Sequence, residues 1–444
     1  MENKKFGLLA SSAIVAGNMM GSGIALLPSN LAALGSVTFI SWILASIGAI
    51  CLAIVYAKLS KTDPQEGGPI GYASEVAPIL GFQTGVLYFN ANWIGNLAIA
   101  ITGVSYLSKF FPDLTNPIPA GIVTIIIIWF FTFLNFYGTK WIGKLVTIGV
   151  ALLLIPVILT GTIGWIYFDK NIFLENWNVT SNTDTHTVFS GIILCIWSFI
   201  GVESASVDTS LVKNPSKTIP RATLIGVFIA ALVYFLSSTA ISGMFPHETI
   251  INSGAPFSLS SSYLFGNWAG HIVSIIIAFA CLASLGSWMM LVAEAARRGA
   301  NDGNLPKIFA KTNNNNIPTQ GLIFISSLMS IVMLFFMFNT SSTNKLFSEI
   351  ITIAVLLTIL PYFYSALNLI DIVEYPLKKI TATMVSLISI LFCFTAYIGS
   401  SHYTLISVVI ISLGSLIFYV KKDREEFEKN IYKNIHNWNI ADKN

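Results

Sequence analysis

Two glycine-dense stretches carry most of the chemistry this chain can offer a ligand. Gly17-Asn18-Met19-Met20-Gly21-Ser22-Gly23 lies in the first apolar segment. Trp197-Ser198-Phe199-Ile200-Gly201-Val202-Glu203-Ser204 lies in the sixth. Lipid gives backbone no hydrogen-bond partner, so a helix interrupted inside a bilayer frees N–H and C=O groups for a ligand to meet. In the first stretch, Gly21 and Gly23 allow close approach to the backbone. The half-helix from Ile24 would present N–H groups and the positive end of its dipole, and Ser22 adds a hydroxyl. That chemistry is carboxylate binding. The alternative is a helix-packing face, because Gly17 and Gly21 also make a small-residue pattern. In the second stretch, Trp197 offers a π-face to an ammonium or guanidinium group. Carbonyls freed at Trp197 and Ile200 would accept from an α-amino group. Glu203 is an acid well inside an apolar segment, which is costly and points to function. Its structural alternative is a hydrogen bond that closes the unwound segment.

The elements that position these residues are membrane helices. The 444-residue chain is 54% hydrophobic and 10% charged, against about 25% charged for soluble domains, with a mean hydropathy of +0.73. Runs of roughly 20 apolar residues predict an all-α membrane protein of twelve spans, near 8–27, 35–57, 81–108, 117–137, 143–167, 187–211, 222–244, 268–293, 319–338, 348–370, 380–399 and 403–420. With a cytoplasmic N-terminus and alternating spans, 21 of the 24 Lys and Arg fall inside and only Lys109, Lys170 and Lys345 outside. This bias orients the protein with both termini cytoplasmic. The first segment runs through a glycine break and has no small-residue cleavage site, so it reads as a span and not as a removable leader.

The breaks lie in spans 1 and 6. Five spans separate these positions, which inverts one break relative to the other, as a five-plus-five inverted repeat requires. The expected organisation is one transporter domain over 1–420, with repeats at about 8–167 and 187–370 and two extra helices in 380–420. A polar cytoplasmic tail follows over 421–444.

Other classes are disfavoured. There is no Walker-type Gly-x-x-x-x-Gly-Lys for nucleotide binding, and no ring of like charges marks a channel. Cys51, Cys195, Cys281 and Cys393 sit in apolar spans without metal-like spacing and read as small core residues. The five histidines lie in loops, span ends or the tail. No cofactor, metal or nucleic-acid partner is implied, and the net charge of +3 reports topology. Glu294 precedes Arg297 and Arg298 by three and four residues and reads as a helix-surface ion pair. Glu349 and Asp208 sit at span ends. Trp288, in Gly286-Ser287-Trp288, has small neighbours that leave room for its ring to move.

These residues resemble a known family. Gly17 to Ile24 with Pro28, and Trp197 to Ser206 followed by Lys213-Asn214-Pro215 and Pro220, are similar to spans 1 and 6 of the basic amino acid/polyamine antiporters. That family belongs to the amino acid–polyamine–organocation superfamily. Trp93-Ile94-Gly95-Asn96, Cys281 to Trp288, and Pro361-Tyr362 extend the resemblance along nearly the whole chain, and the arginine/agmatine branch looks nearest. The resemblance implies a LeuT-like inverted repeat with discontinuous helices 1 and 6. It places Ser22 and Gly23 at the substrate carboxylate. It places the carbonyls of Met19, Trp197 and Ile200 at the α-amino group, Trp197 and Asn96 at the cationic end, and Ala91 in the pocket wall. Tyr88, Glu203 and Tyr362 match gate residues, and Trp288 a middle gate. Two positions depart from the arginine/agmatine pattern: Asn92 replaces a cysteine and Ala354 a serine, both expected at the distal end of the substrate.

The function expected on this basis is exchange of a basic amino acid for its decarboxylated amine across a bacterial inner membrane, with arginine and agmatine foremost. Putrescine/ornithine exchange, lysine/cadaverine exchange, a proton-coupled importer and a non-transporting sensor are the alternatives. The resemblance further implies a lipid-embedded homodimer.

Overall fold

The computed structural model describes residues 7–20, 22–62, 68–137, 142–203, 212–301, 305, 307–372, 376–400, 405–406 and 408–420. Gly21, Asp208, Ser204 to Ser206, the tail 421–444 and the side chain of Ser22 lie outside this description. No β-strand occurs among the described residues, which are helical nearly throughout.

The first expected span is three short helices, α1 (Leu8–Met19), α2 (Ser22–Ala25) and α3 (Leu27–Ala32). Then follow α4 (Thr38–Thr62), α5 (Pro69–Val76), α6 (Pro78–Leu107), α7 (Pro117–Asn135), α8 (Ile142–Ile163) and the short helix α9 (Lys170–Glu175). The sixth span is α10 (Asp184–Phe199), which stops where its break begins. The remainder comprises α11 (Pro215–Met244), α12 (His247–Ile251), α13 (Pro256–Phe265), α14 (Asn267–Asn301), α15 (Thr319–Asn339), α16 (Thr343–Ile372), α17 (Pro376–Ile398) and α18 (Val408–Val420). Prolines open many of these helices: Pro69, Pro78, Pro117, Pro215 and Pro256 all lie in first turns. A first-turn N–H has no intrahelical acceptor, so proline costs nothing there.

Eight of these helices are long and apolar enough to cross a membrane. The four other expected spans miss that measure for separate reasons. The first and sixth are interrupted, leaving pieces of 12 and 16 residues before their breaks. The twelfth is described only as a 13-residue piece with its flank. Helix α6 is 30 residues long but carries Gln83, Thr84, Asn90, Asn92, Asn96, Thr102 and Ser105. Most of its surface is buried against protein, so it has no need of a lipid-soluble face. By contrast α7 and α15 expose Ile122, Ile126, Phe130, Phe335 and Phe338, apolar surface suited to a bilayer.

One continuous apolar core runs from Val15 in α1 to Val408 in α18. Small residues set its closest approaches. A Cβ on Gly226 would stand 2.7 Å from Val15, and one on Gly149 would stand 2.9 Å from the Cα of Ala280. Helices α1 and α11, and α8 and α14, therefore meet nearly backbone to backbone, the packing that small residues permit between membrane helices.

Candidate functional site

The two breaks face each other. A Cβ on Gly23 would lie 3.1 Å from the Cα of Ser198, so only glycine lets the first break approach the end of α10 this closely. Beyond Phe199 the backbone turns extended at Ile200 (φ −61, ψ 131) and left-handed at Gly201 (φ +104), a conformation glycine adopts without steric cost. Both interruptions leave carbonyls that the protein answers with tyrosine. Tyr106 donates its hydroxyl to the Ala25 carbonyl at 2.6 Å, and Tyr234 donates to the Ser198 carbonyl at 3.2 Å. Asn30 Nδ2 donates to the Leu26 carbonyl at 2.9 Å. The Trp197 carbonyl accepts the Ile200 N–H at 3.3 Å, which leaves one of its lone pairs open.

A cavity of about 60 Å³ lies between the breaks. Of the residues expected at the substrate, Met19, Gly23, Ala91, Asn92, Asn96, Trp197, Ile200 and Trp288 line it, as does the expected gate residue Tyr88. Ala354 does not: it is fully buried in α16. One turn further along that helix, Thr358 reaches the cavity instead, joined by Ser284 from α14 and by Gly95 and Ile99 from α6. Gly95 has a specific task. A Cβ there would stand 3.2 Å from Trp197 Cη2, so its absence lets the indole lie against α6. The indole also meets Phe347 edge-on, at 6.5 Å between centroids. Trp197 Nε1 and Asn96 Nδ2 are buried without a partner among the described residues. A buried donor without an acceptor is costly, so both point to a ligand or water in the cavity.

One end of the cavity is closed around Glu203. Its carboxylate is buried and accepts from both flanking tyrosines, Tyr88 at Oε1 and Tyr362 at Oε2, the latter at 2.8 Å. Tyr362 in turn packs edge-on against Tyr56 at 5.9 Å, and the Tyr56 hydroxyl donates to Ser365 Oγ at 3.2 Å. The three expected gate residues therefore meet at one point, with Tyr56 behind them. Away from Glu203, neutral groups join other elements of the fold. Ser29 Oγ donates to the Ser253 carbonyl at 2.8 Å, Ser348 to Asn30 Oδ1, and Asn344 Nδ2 to the Ile251 carbonyl at 2.7 Å. Glu294 makes the ion pair with Arg297 that its spacing predicts, at 2.7 Å.

Sequence reasoning did not single out Thr358, Ser284, Tyr106 or Tyr234. Each is one of several polar residues in a buried helix, which ordinarily reads as helix packing. Pro361 and Tyr362 marked the neighbourhood of Thr358, but nothing local marks which turn faces the cavity.

An all-helical, multi-pass membrane protein with a cavity between two interrupted helices has the architecture of a transporter and not of an enzyme. The chain belongs to the amino acid permease family, whose model matches residues 6–440. It is 50% identical to the cadaverine/lysine antiporter of Escherichia coli K12 over 425 residues, covering 95% of this chain and 96% of that protein. It is 30% identical to the putrescine transporter PotE of the same organism over 433 residues, covering 96% and 98%. The PotE of Haemophilus influenzae is 30% identical over 424 residues, covering 94% and 96%.

Proposed function

We propose that this protein exchanges lysine for cadaverine across a bacterial inner membrane, importing the amino acid and exporting its decarboxylated amine. The observation that carries the reading is the uncharged cavity between the breaks, closed at one end on a buried carboxylate. The 50% identity to a cadaverine/lysine antiporter supports this pair over arginine and agmatine, the pair foremost in the sequence reading. In this mechanism the substrate carboxylate sits on the first break at Ser22 and Gly23, and the α-amino group on carbonyls of Met19, Trp197 and Ile200. The distal cation lies against Trp197, with Asn96 beside it and Trp288 as the movable wall. Tyr88, Glu203 and Tyr362 form the gate.

The same reading takes the fold as twelve spans in a five-plus-five inverted repeat over 1–420, with a tail from 421. Both termini are cytoplasmic, and two copies associate. Access alternates by rocking of one helix bundle against the rest around the fixed midplane site. Cadaverine has no carboxylate to place on the first break, so it relies on the Trp197 end.

Counterflow tests the proposal. In proteoliposomes loaded with cadaverine, uptake of radiolabelled lysine should exceed uptake into empty vesicles, and a panel of basic amino acids should compete in the order lysine before arginine. Uptake indifferent to internal cadaverine would remove the exchange, and preference for arginine would restore the other pair.

A further inference from the structure

We propose that Thr358 and Asn92 form a seat of hydrogen-bond acceptors for a substrate ammonium group and select it over a guanidinium. The inference rests on the lysine/cadaverine reading above and assigns its specificity. Hydrogen-bond direction carries the argument. Thr358 spends its only hydroxyl hydrogen on the Ala354 carbonyl, at 2.8 Å. What it turns to the cavity is lone pairs. Asn92 Nδ2 donates to the Tyr88 carbonyl at 2.6 Å. A carbonyl can only accept, so the amide orientation is fixed and Oδ1 lies on the side away from Tyr88. Both residues line the cavity, and Thr358 is 2% exposed.

Ser284 supplies a third oxygen to the same cavity, from α14. The three oxygens thus come from three helices, α6, α14 and α16, that surround one space. None of the residues lining it is charged, so the cation meets neutral oxygens and the Trp197 π-face. An ammonium is a compact charge with three rotatable donors, which acceptors on separate helices can satisfy together. A guanidinium holds its five donors in one plane and calls for coplanar or bidentate acceptors.

This arrangement also gives residue 354 a role that its side chain does not. The alanine adds nothing to the cavity wall, but its carbonyl takes the hydrogen of Thr358 and so turns that hydroxyl into an acceptor. Specificity at this end of the substrate is set one helical turn from the position where the family resemblance placed it.

The test uses the full-length protein in proteoliposomes and compares Thr358→Val, Thr358→Ser and Asn92→Leu with the unmodified chain. The readouts are half-saturation for lysine and cadaverine and inhibition by arginine. Thr358→Val and Asn92→Leu should each raise half-saturation for lysine and cadaverine about tenfold, the effect of losing a hydrogen bond to a charged group. Inhibition by arginine should change far less, so the lysine-to-arginine ratio falls. Thr358→Ser keeps the hydroxyl and should restore the ratio, which a packing defect would not allow. Equal changes for all ligands, an unchanged ratio, or failure of Thr358→Ser to restore it would overturn the assignment. Failure of the unmodified protein to exchange lysine for cadaverine would instead remove the functional reading beneath it.

Discussion

The two helix breaks solve the same backbone problem in different ways. The first is three short helices whose freed carbonyls are met by neutral groups, the Tyr106 hydroxyl on Ala25 and the Asn30 amide on Leu26. The second turns through a left-handed glycine, Gly201, and ends on a buried acid held by two tyrosines, Tyr88 and Tyr362. A neutral hydrogen bond keeps its geometry whatever the proton does. A buried carboxylate between two hydroxyls changes its donors and acceptors when it gains or loses one. The described part of the first break is therefore held by neutral hydrogen bonds, and the second lies beside a buried carboxylate.

Removing the acid should produce the largest difference between the breaks. Glu203→Ala leaves the Tyr88 and Tyr362 hydroxyls buried without this acceptor, at about 1–3 kcal/mol each. Counterflow should fall to background, and thermal unfolding in detergent should shift downward. A Glu203→Ala protein that still exchanges substrate at the unmodified rate would reduce the second break to the status of the first. Trp197→Leu comes next. It removes a desolvated cation–π contact while keeping an apolar side chain, and should weaken lysine binding by about 1–2 kcal/mol, measured by equilibrium binding of radiolabelled lysine. Unchanged affinity would take the indole out of the site.

The smallest effects belong to the paired tyrosine caps, and they sharpen the comparison most. Tyr106→Phe and Tyr234→Phe each delete one hydroxyl from a freed carbonyl, for about 1 kcal/mol of stability. The shorter Tyr106 bond, 2.6 Å against 3.2 Å, should make the first-break variant the less stable of the two in thermal unfolding. The reverse order would mean that the second break leans on its cap more heavily than its glycine geometry requires.

Much of this is legible in the sequence. Gly17 to Gly23 and Trp197 to Glu203 announce interrupted helices, because glycines and a carboxylate inside apolar runs are costly unless used. The resemblance then gathered Met19, Gly23, Asn92, Asn96, Trp197, Ile200 and Trp288, all of which line one cavity. It also put Ala354 there, whereas that side chain is in the core and Thr358 reaches the cavity. A helix that is buried on nearly every side has no amphipathic stripe to show which turn faces a ligand. Helix α6 illustrates the same limit: its polar residues make it less apolar than the other membrane-length helices, although its burial shows why they are tolerated.

Taken alone, the sequence determined the membrane class, the place of both breaks and the identity of the intramembrane acid. These follow from composition and from local backbone chemistry, which neighbours along the chain dictate. The tertiary structure decided what each polar group has left to offer. Tyr88 and Tyr362 reach Glu203 across 115 and 159 residues of sequence, and three helices bring their oxygens to one cavity. Hydrogen bonds are directional and each hydrogen serves chiefly one acceptor. Whether Thr358 donates or accepts at the cavity therefore depends on the carbonyl that already holds its proton, and only the folded chain shows that.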